Sequence, residues 1–100
     1  MEFPAPQSTG YTVYTKTDCS YCRKVKILLE ELEHTYTAVN CDEYLTEKEA
    51  FFTFIRGIAA KEHKTFPIVF FDGKYIGGYD DTMRFLSTRY RELPNQFKIQ

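Results

Sequence analysis

Residues 11–41 read YTVYTKTDCSYCRKVKILLEELEHTYTAVNC and contain the pattern that decides the fold. Residues 11–16 are rich in β-branched and aromatic side chains, as is typical of a strand. Apolar residues then recur with a helical period from residue 22 to residue 32, which predicts a helix that ends near His34. Residues 36–41 again resemble a strand. A strand, a helix and a strand in this order predict two parallel strands joined by a right-handed crossover.

The second half of the chain extends this unit to the order β-α-β-α-β-β-α. Residues 46–49 (TEKE) have the form of a capping box and predict a second helix that runs to about Ala60. The Asp-Gly pair at 72–73 between two apolar segments predicts a hairpin. Asp80 or Asp81 can cap a last helix. We therefore expect an α/β protein with a four-stranded mixed sheet flanked by three or more helices.

The composition limits the possible functions. A chain of 100 residues fits one domain, which we expect over residues 10–100, with residues 1–9 as a flexible tail. The net charge is −1, and the basic residues are scattered, which argues against a nucleic-acid partner. The chain shows no secretory signal pattern and no apolar segment of the ~20 residues that span a bilayer. We expect a cytoplasmic protein without a membrane partner.

The pair Cys19 and Cys22 carries the chemistry that the sequence predicts. A cysteine at the start of a helix lies beside unpaired amide groups and the positive end of the helix dipole, which favour its thiolate. Cys22 lies about one turn later, within reach of a disulfide. Lys16 adds a nearby positive charge. We therefore assign Cys19 as the nucleophile and Cys22 as the resolving thiol.

Cysteine can also act as a zinc ligand or as a buried apolar residue. A structural zinc ion needs four ligands, and the remaining candidates (Cys41, His34 and His63) form no second closely spaced pair. We therefore predict no metal site of this kind. Cys41 lies at a strand end and is most simply interpreted as a small buried apolar residue.

Three segments together resemble one family. Residues 16–22 (KTDCSYC), 65–67 (TFP) and 77–81 (GGYDD) are similar to the active-site loop, the Thr-Val-Pro element and the Gly-Gly-x-Asp-Asp element of dithiol glutaredoxins. The resemblance covers about Tyr11 to Tyr90. It implies the thioredoxin fold and an oxidoreductase of electron transport and cell redox homeostasis. Such an enzyme uses glutathione to reduce protein disulfides and glutathione mixed disulfides, and we expect a monomer.

The same resemblance implies a glutathione site. A cis Pro67 would turn the backbone of Phe66 towards the ligand, and Gly77 and Gly78 would let the chain approach it. In structural terms the two glycines could equally form a turn, and Asp80 could simply cap the last helix. A cation from Arg56, Lys61 or Lys64 could complete the site. The residues expected to bind glutathione are Lys16, Tyr21, Thr65, Phe66, Pro67, Gly78, Tyr79 and Asp80.

Two residues depart from the family pattern. Ser20 stands where many dithiol glutaredoxins have proline, and Phe66 stands where valine is usual. Members with serine at the first of these positions can hold a [2Fe–2S] cluster between two subunits. A cluster carrier with Cys19 as iron ligand, dimeric only when loaded, is therefore the alternative function. A thioredoxin proper is disfavoured because the chain has no tryptophan and lacks the Trp-Cys-Gly-Pro-Cys pattern.

Overall fold

A four-stranded mixed sheet forms the centre of the protein. The computed structural model describes residues 1–89. The strands lie in the order β2-β1-β3-β4, with β1 parallel to β2 and antiparallel to β3, and with β3 antiparallel to β4. This confirms the predicted fold class and the first βαβ unit. The strands are β1 (Tyr11–Thr15), β2 (Tyr36–Asn40), β3 (Ile68–Phe71) and β4 (Lys74–Gly77).

Three α-helices cover the two faces of the sheet. The helices are α1 (Ser20–Glu31), α2 (Lys48–Ala59) and α3 (Tyr79–Arg89), and a short 3₁₀ helix (Tyr44–Glu47) precedes α2. One apolar cluster joins the sheet to α2, and a second joins it to α1 and α3. Because β1 is buried along its whole length, its side chains supply both clusters: Tyr14 enters the first and Val13 the second. Within residues 1–89, no helix is long and apolar enough to cross a membrane.

The start of α2 differs from the predicted capping box. Thr46 lies inside the 3₁₀ helix, and its hydroxyl donates to the carbonyl of Glu43 at 2.8 Å. No side chain caps α2 at Glu47. The prediction was wrong because the preceding turn uses the threonine hydroxyl and leads directly into the helix.

Two residues of the segment 1–9, which the sequence predicts to be a flexible tail, contact the domain. Phe3 contacts the rings of Tyr44 and Phe51 edge-on, with centroids 5.5 and 5.4 Å away. The Tyr14 hydroxyl donates to the carbonyl of Pro4 at 2.6 Å. The sequence did not indicate Phe3 as an apolar contact or Tyr14 as a buried donor that needs an acceptor. The flexibility of residues 1–9 stays a prediction. Of the predicted domain, residues 90–100 lie outside the described residues.

The junction between β4 and α3 is held by side chains of the helix. The Asp81 carboxylate accepts from the amide of Gly78 at 3.4 Å, and the Thr82 hydroxyl donates to the Gly78 carbonyl at 2.8 Å. Asp81 rather than Asp80 is therefore the capping residue. The Asp80 side chain remains exposed.

Candidate functional site

The two cysteines of the motif form a disulfide at the beginning of α1. Their Cα atoms are 5.3 Å apart. Cys19 is the N-cap residue, and its sulfur accepts a hydrogen bond from the amide of Cys22 at 3.2 Å. Cys19 is 8% exposed, whereas Cys22 is 1% exposed. Cys19 is thus the more accessible residue of the two, and a backbone donor that favours its thiolate is already in place.

The loop before Cys19 is tied to the end of β2. Asp42 accepts the amide of Thr17 at 2.9 Å and also accepts its hydroxyl. The Thr17 hydroxyl and then its amide hold the pKa of Asp42 below its usual value, and Lys16 adds a smaller effect in the same direction. The loop that leads to Cys19 is therefore fixed by a carboxylate that the sequence pattern did not indicate.

Basic side chains surround the cysteines. A cleft of about 310 Å³ contains both of them and is lined by Lys16, Arg23 and Lys26, with Asp18 as an opposing charge. Arg23 and Lys26 follow Cys19 by four and seven residues, and this spacing places them on one helix face. Arg23 and Lys26 were not predicted, although their spacing from Cys19 indicates a position on the same helix face.

A second cleft, of about 410 Å³, brings together nearly all of the other predicted binding residues. The Phe66–Pro67 peptide bond is cis, as the resemblance implies. Lys16 does not line this cleft and lies with the cysteines instead. His63 and Asp81 line it and were missed. The predicted residues that line it are Tyr21, Thr65, Phe66, Pro67, Gly78, Tyr79 and Asp80.

The two glycines at this cleft have different roles. Gly77 is buried with φ +137°, and a Cβ there would lie 2.6 Å from the Cβ of Asp81, so its need for glycine is structural. At Gly78 a Cβ would lie 3.6 Å from the carbonyl oxygen of Pro67 and 3.6 Å from Cε1 of His63. A methyl group at Gly78 would therefore fit between these two groups at ordinary contact distances.

Two tyrosines and a lysine form one rim of the second cleft. The rings of Tyr21 and Tyr79 lie 5.2 Å apart. The Nζ atom of Lys24 is 5.0 Å from the centroid of the Tyr21 ring and 6.0 Å from that of Tyr79. Tyr21 is 52% exposed, so this rim is open to a ligand. Lys24 places a positive charge beside the cleft that the sequence pattern did not indicate.

The three cations left open by the sequence lie elsewhere. Arg56 is paired with Glu62 at 3.4 Å. Arg56 and Lys64 line a third cleft, of about 460 Å³, beside α2. Lys61 is exposed. The structure therefore does not bring any of the three to the cleft that contains Pro67 and Gly78.

Cys41 lies in a different environment from the two cysteines of the motif. It is fully buried in the apolar cluster below α2, and its thiol donates to the Val39 carbonyl at 3.4 Å. Burial raises the pKa of the Cys41 thiol to about 12. A thiol with such a pKa has little thiolate at neutral pH, which agrees with its interpretation as a packing residue.

Comparison with known proteins gives the family. The family model described as Glutaredoxin matches residues 11–76. The chain is 40% identical over 78 residues to the chloroplastic glutaredoxin-C4 of Oryza sativa subsp. japonica, covering 76% of this chain. It is 39% identical over 77 residues to the glutaredoxin of Ricinus communis, with 75% of this chain and 71% of that protein covered. The chain belongs to the glutaredoxin family. It spans 55% of the length of glutaredoxin-C4 and 65% of that of rice glutaredoxin-C6.

Solved glutaredoxin structures share this fold. The crystal structure of a buckwheat glutaredoxin–glutathione complex is 31% identical, has a TM-score of 0.67 and covers 87% of this chain and 74% of that chain. Glutaredoxin 1 from Francisella tularensis, complexed with cacodylate, has a TM-score of 0.72 at 23% identity, with 82% and 96% covered. The latter likeness supports the fold alone. The family model, the rice relative and the buckwheat structure confirm the family resemblance that the three sequence segments indicated.

Proposed function

We propose that this chain is a glutathione-dependent thiol–disulfide oxidoreductase that reduces protein disulfides and glutathione mixed disulfides. The observation that carries the proposal is the Cys19–Cys22 disulfide at the start of α1, with Cys19 as the more exposed residue. A pair in disulfide contact is already in the geometry that reversible exchange requires.

The first step is attack by the Cys19 thiolate. Its sulfur forms a bond to one sulfur of the substrate disulfide, and the other substrate sulfur leaves as a thiolate that takes a proton from water. The Cys22 amide donates to the Cys19 sulfur at 3.2 Å and stabilises its negative charge before the attack. Lys16 and Arg23 line the same cleft and favour the same charge.

The second step depends on the substrate. With a protein disulfide, Cys22 attacks Cys19, which releases the reduced protein and leaves the intramolecular disulfide. Two molecules of glutathione then reduce this disulfide and are oxidised to glutathione disulfide. With a glutathionylated protein, Cys19 accepts the glutathione moiety, and one free glutathione removes it. Only the first route needs Cys22.

The second cleft supports glutathione as the reductant. The backbone around Phe66 and Pro67 faces the helix start at Tyr79 and Asp80, where amide groups and the helix dipole favour a carboxylate. The related buckwheat protein has been crystallised as a glutathione complex. We propose that glutathione lies in this cleft with its sulfur directed to Cys19.

A coupled assay tests the proposal. Reduction of a small glutathione mixed disulfide is followed with glutathione reductase and NADPH for the wild type, Cys19→Ser and Cys22→Ser. We expect Cys19→Ser to abolish turnover. Cys22→Ser should retain it while losing the reduction of a protein disulfide. Absence of wild-type turnover, or equal loss of both activities in Cys22→Ser, would contradict the proposal.

A [2Fe–2S] carrier is a second proposed function. Its support is the position of Cys19, a thiolate donor suited to iron, at the start of α1. The glutathione that we place in the second cleft would supply a second sulfur. Anaerobic reconstitution with iron, sulfide and glutathione should then give a coloured dimer, and Cys19→Ser should remain colourless. A colourless wild-type monomer would contradict this function.

For the thiol–disulfide oxidoreductase function we propose a monomer in the cytoplasm, where glutathione keeps thiols reduced.

A further inference from the structure

His63 connects the two walls of the second cleft. Its Nδ1 lies 2.5 Å from the hydroxyl of Tyr75 on β4. On the other edge of the ring, Cε1 and Nε2 lie 3.6 and 3.7 Å from the position that a Cβ on Gly78 would occupy. The same position lies 3.6 Å from the carbonyl of Pro67. The imidazole therefore lies within van der Waals distance of the Cβ position at Gly78, and it lines the same cleft as Pro67 and Gly78.

The groups around His63 keep the ring uncharged near neutral pH. Burial, as the largest influence, lowers the pKa of His63, and Lys61 on its own connector acts in the same direction. Asp81 on α3 and the backbone of Thr65 oppose this effect. Tyr75 on β4 remains protonated, since burial and then Asp81 raise the pKa of its hydroxyl.

We propose that His63, held at Nδ1 by Tyr75, is a binding residue of the glutathione cleft that contacts the anionic ligand through its Nε2 edge. The inference rests on the proposed function and names a residue that the family motifs do not contain. Tyr75 fixes the orientation of the ring, so that Nε2 remains on the side of Gly78. The aromatic edge contact between the two rings, with centroids 5.7 Å apart, adds to this restraint.

Because His63 can be protonated, the inference predicts a pH dependence of ligand affinity. In the neutral ring, one nitrogen donates and the other accepts a hydrogen bond; in the cation both donate. As the pH falls through the pKa of His63, Nδ1 can donate to the Tyr75 oxygen while Nε2 becomes a charged donor. A charged donor binds a carboxylate roughly twice as strongly as a neutral one. The contribution of His63 to ligand affinity should therefore increase towards acidic pH.

Substitutions can distinguish the contribution of Nδ1 of His63 from that of Nε2. Asparagine places its amide group near Nδ1, so His63→Asn keeps a partner for Tyr75 and loses the group beside Gly78. Glutamine reaches the position of Nε2, so His63→Gln keeps a neutral group there and loses the charge. Tyr75→Phe keeps the imidazole and removes its support. His34→Gln is the matched control, because His34 lies beside Tyr11, with ring centroids 5.3 Å apart, and does not line this cleft.

The test is an NMR titration of the full chain with S-methylglutathione, a non-reactive analogue, at about pH 5.5 and about pH 8. Amide spectra report whether each variant is folded. We expect His63→Asn to weaken binding about 3-fold at the higher pH and about 10-fold at the lower pH. His63→Gln should be close to the wild type at the higher pH and weaker only at the lower pH. Tyr75→Phe should show a smaller loss, and His34→Gln should match the wild type at both values.

The outcomes distinguish this inference from the proposed function. If the wild type turns over the glutathione mixed disulfide, and if the His63 and Tyr75 variants bind the analogue as the wild type does at both pH values, the inference is wrong and the proposed function stands. If the wild type neither turns over the substrate nor binds the analogue, both are wrong.

Discussion

The carboxylate of Asp42 accepts both the amide and the hydroxyl of Thr17, two residues before Cys19. This pair joins the end of β2 to the loop that precedes Cys19. Asp42→Ala removes the carboxylate that binds Thr17, so the position of the loop before Cys19 should be less restrained. We therefore expect kcat/KM in the coupled assay to fall by about tenfold. Glu43→Ala is the matched control, since it removes the neighbouring charge and leaves the Thr17 bonds intact. Equal activities in the two variants would contradict a positioning role for Asp42.

The same pair predicts a pH dependence of stability. Hydrogen bonds from Thr17 lower the pKa of Asp42 from its ordinary value of 3.8. A lowered pKa in the folded state stabilises the protein above the unfolded value, and this stabilisation is lost as the pH falls through the folded value. The difference in urea midpoint between the wild type and Asp42→Asn should therefore shrink between pH 6 and about pH 2.5. A difference that stays constant over this range would show that the carboxylate charge is not responsible.

Adjacent glycines should respond differently to the same substitution. Gly77→Ala would force a side chain onto φ +137° and against Asp81, so we expect a loss of about 2–4 kcal/mol in the free energy of unfolding. At Gly78 the new methyl group would meet its neighbours at ordinary contact distances. Gly78→Ala should change stability by less than about 1 kcal/mol but raise KM for the glutathione mixed disulfide, because the methyl group occupies the cleft. Urea denaturation and the coupled assay check both variants. An unstable Gly78→Ala, or one with unchanged KM, would refute this assignment.

Most of the fold could be predicted because its signals are local. The hairpin of β3 and β4 followed from the Asp-Gly turn, and α1 followed from its apolar period. The errors arose where distant contacts decide the local structure. Phe3 is ordered by aromatic rings on α2 and on the 3₁₀ helix, and no pattern within residues 1–9 shows those partners.

The candidate site was predictable wherever a residue belongs to a recognisable motif. The cleft around Pro67 and Gly78 contains the predicted binding residues except Lys16, which lies with the cysteines. Asp42 and His63 were missed because their roles come from partners that are distant in sequence: Thr17 is 25 residues from the first, and Tyr75 is 12 from the second. Side chains whose role depends on such pairs carry no signature in one sequence without a structure.

The packing of the N-terminal segment can be tested at Phe3. Its ring contacts Tyr44 and Phe51 edge-on and also lies near Phe54. Because the side chain is only partly buried, Phe3→Ala should lower the free energy of unfolding by about 1–3 kcal/mol, less than for a fully buried phenylalanine. Phe3→Leu keeps most of the apolar contact and should lose less. Urea midpoints that do not change in either variant would support the flexible tail that the sequence predicts over residues 1–9.

The burial of Cys41 predicts both its reactivity and its effect on stability. In the reduced protein, iodoacetamide at neutral pH should modify Cys19 first and Cys41 only after denaturation, because Cys41 is fully buried. Its pKa is about 12 in the folded state, against an ordinary value of 9.0. Since the unfolded chain loses this proton first, the contribution of Cys41 to stability should decrease as the pH rises above that ordinary value. Cys41→Ala should therefore show a weaker decline in urea midpoint between pH 8 and about pH 10.5 than the wild type does. Parallel declines in the two proteins, or rapid modification of Cys41 in the native state, would mean that its thiol reaches solvent in the folded protein and could take part in exchange.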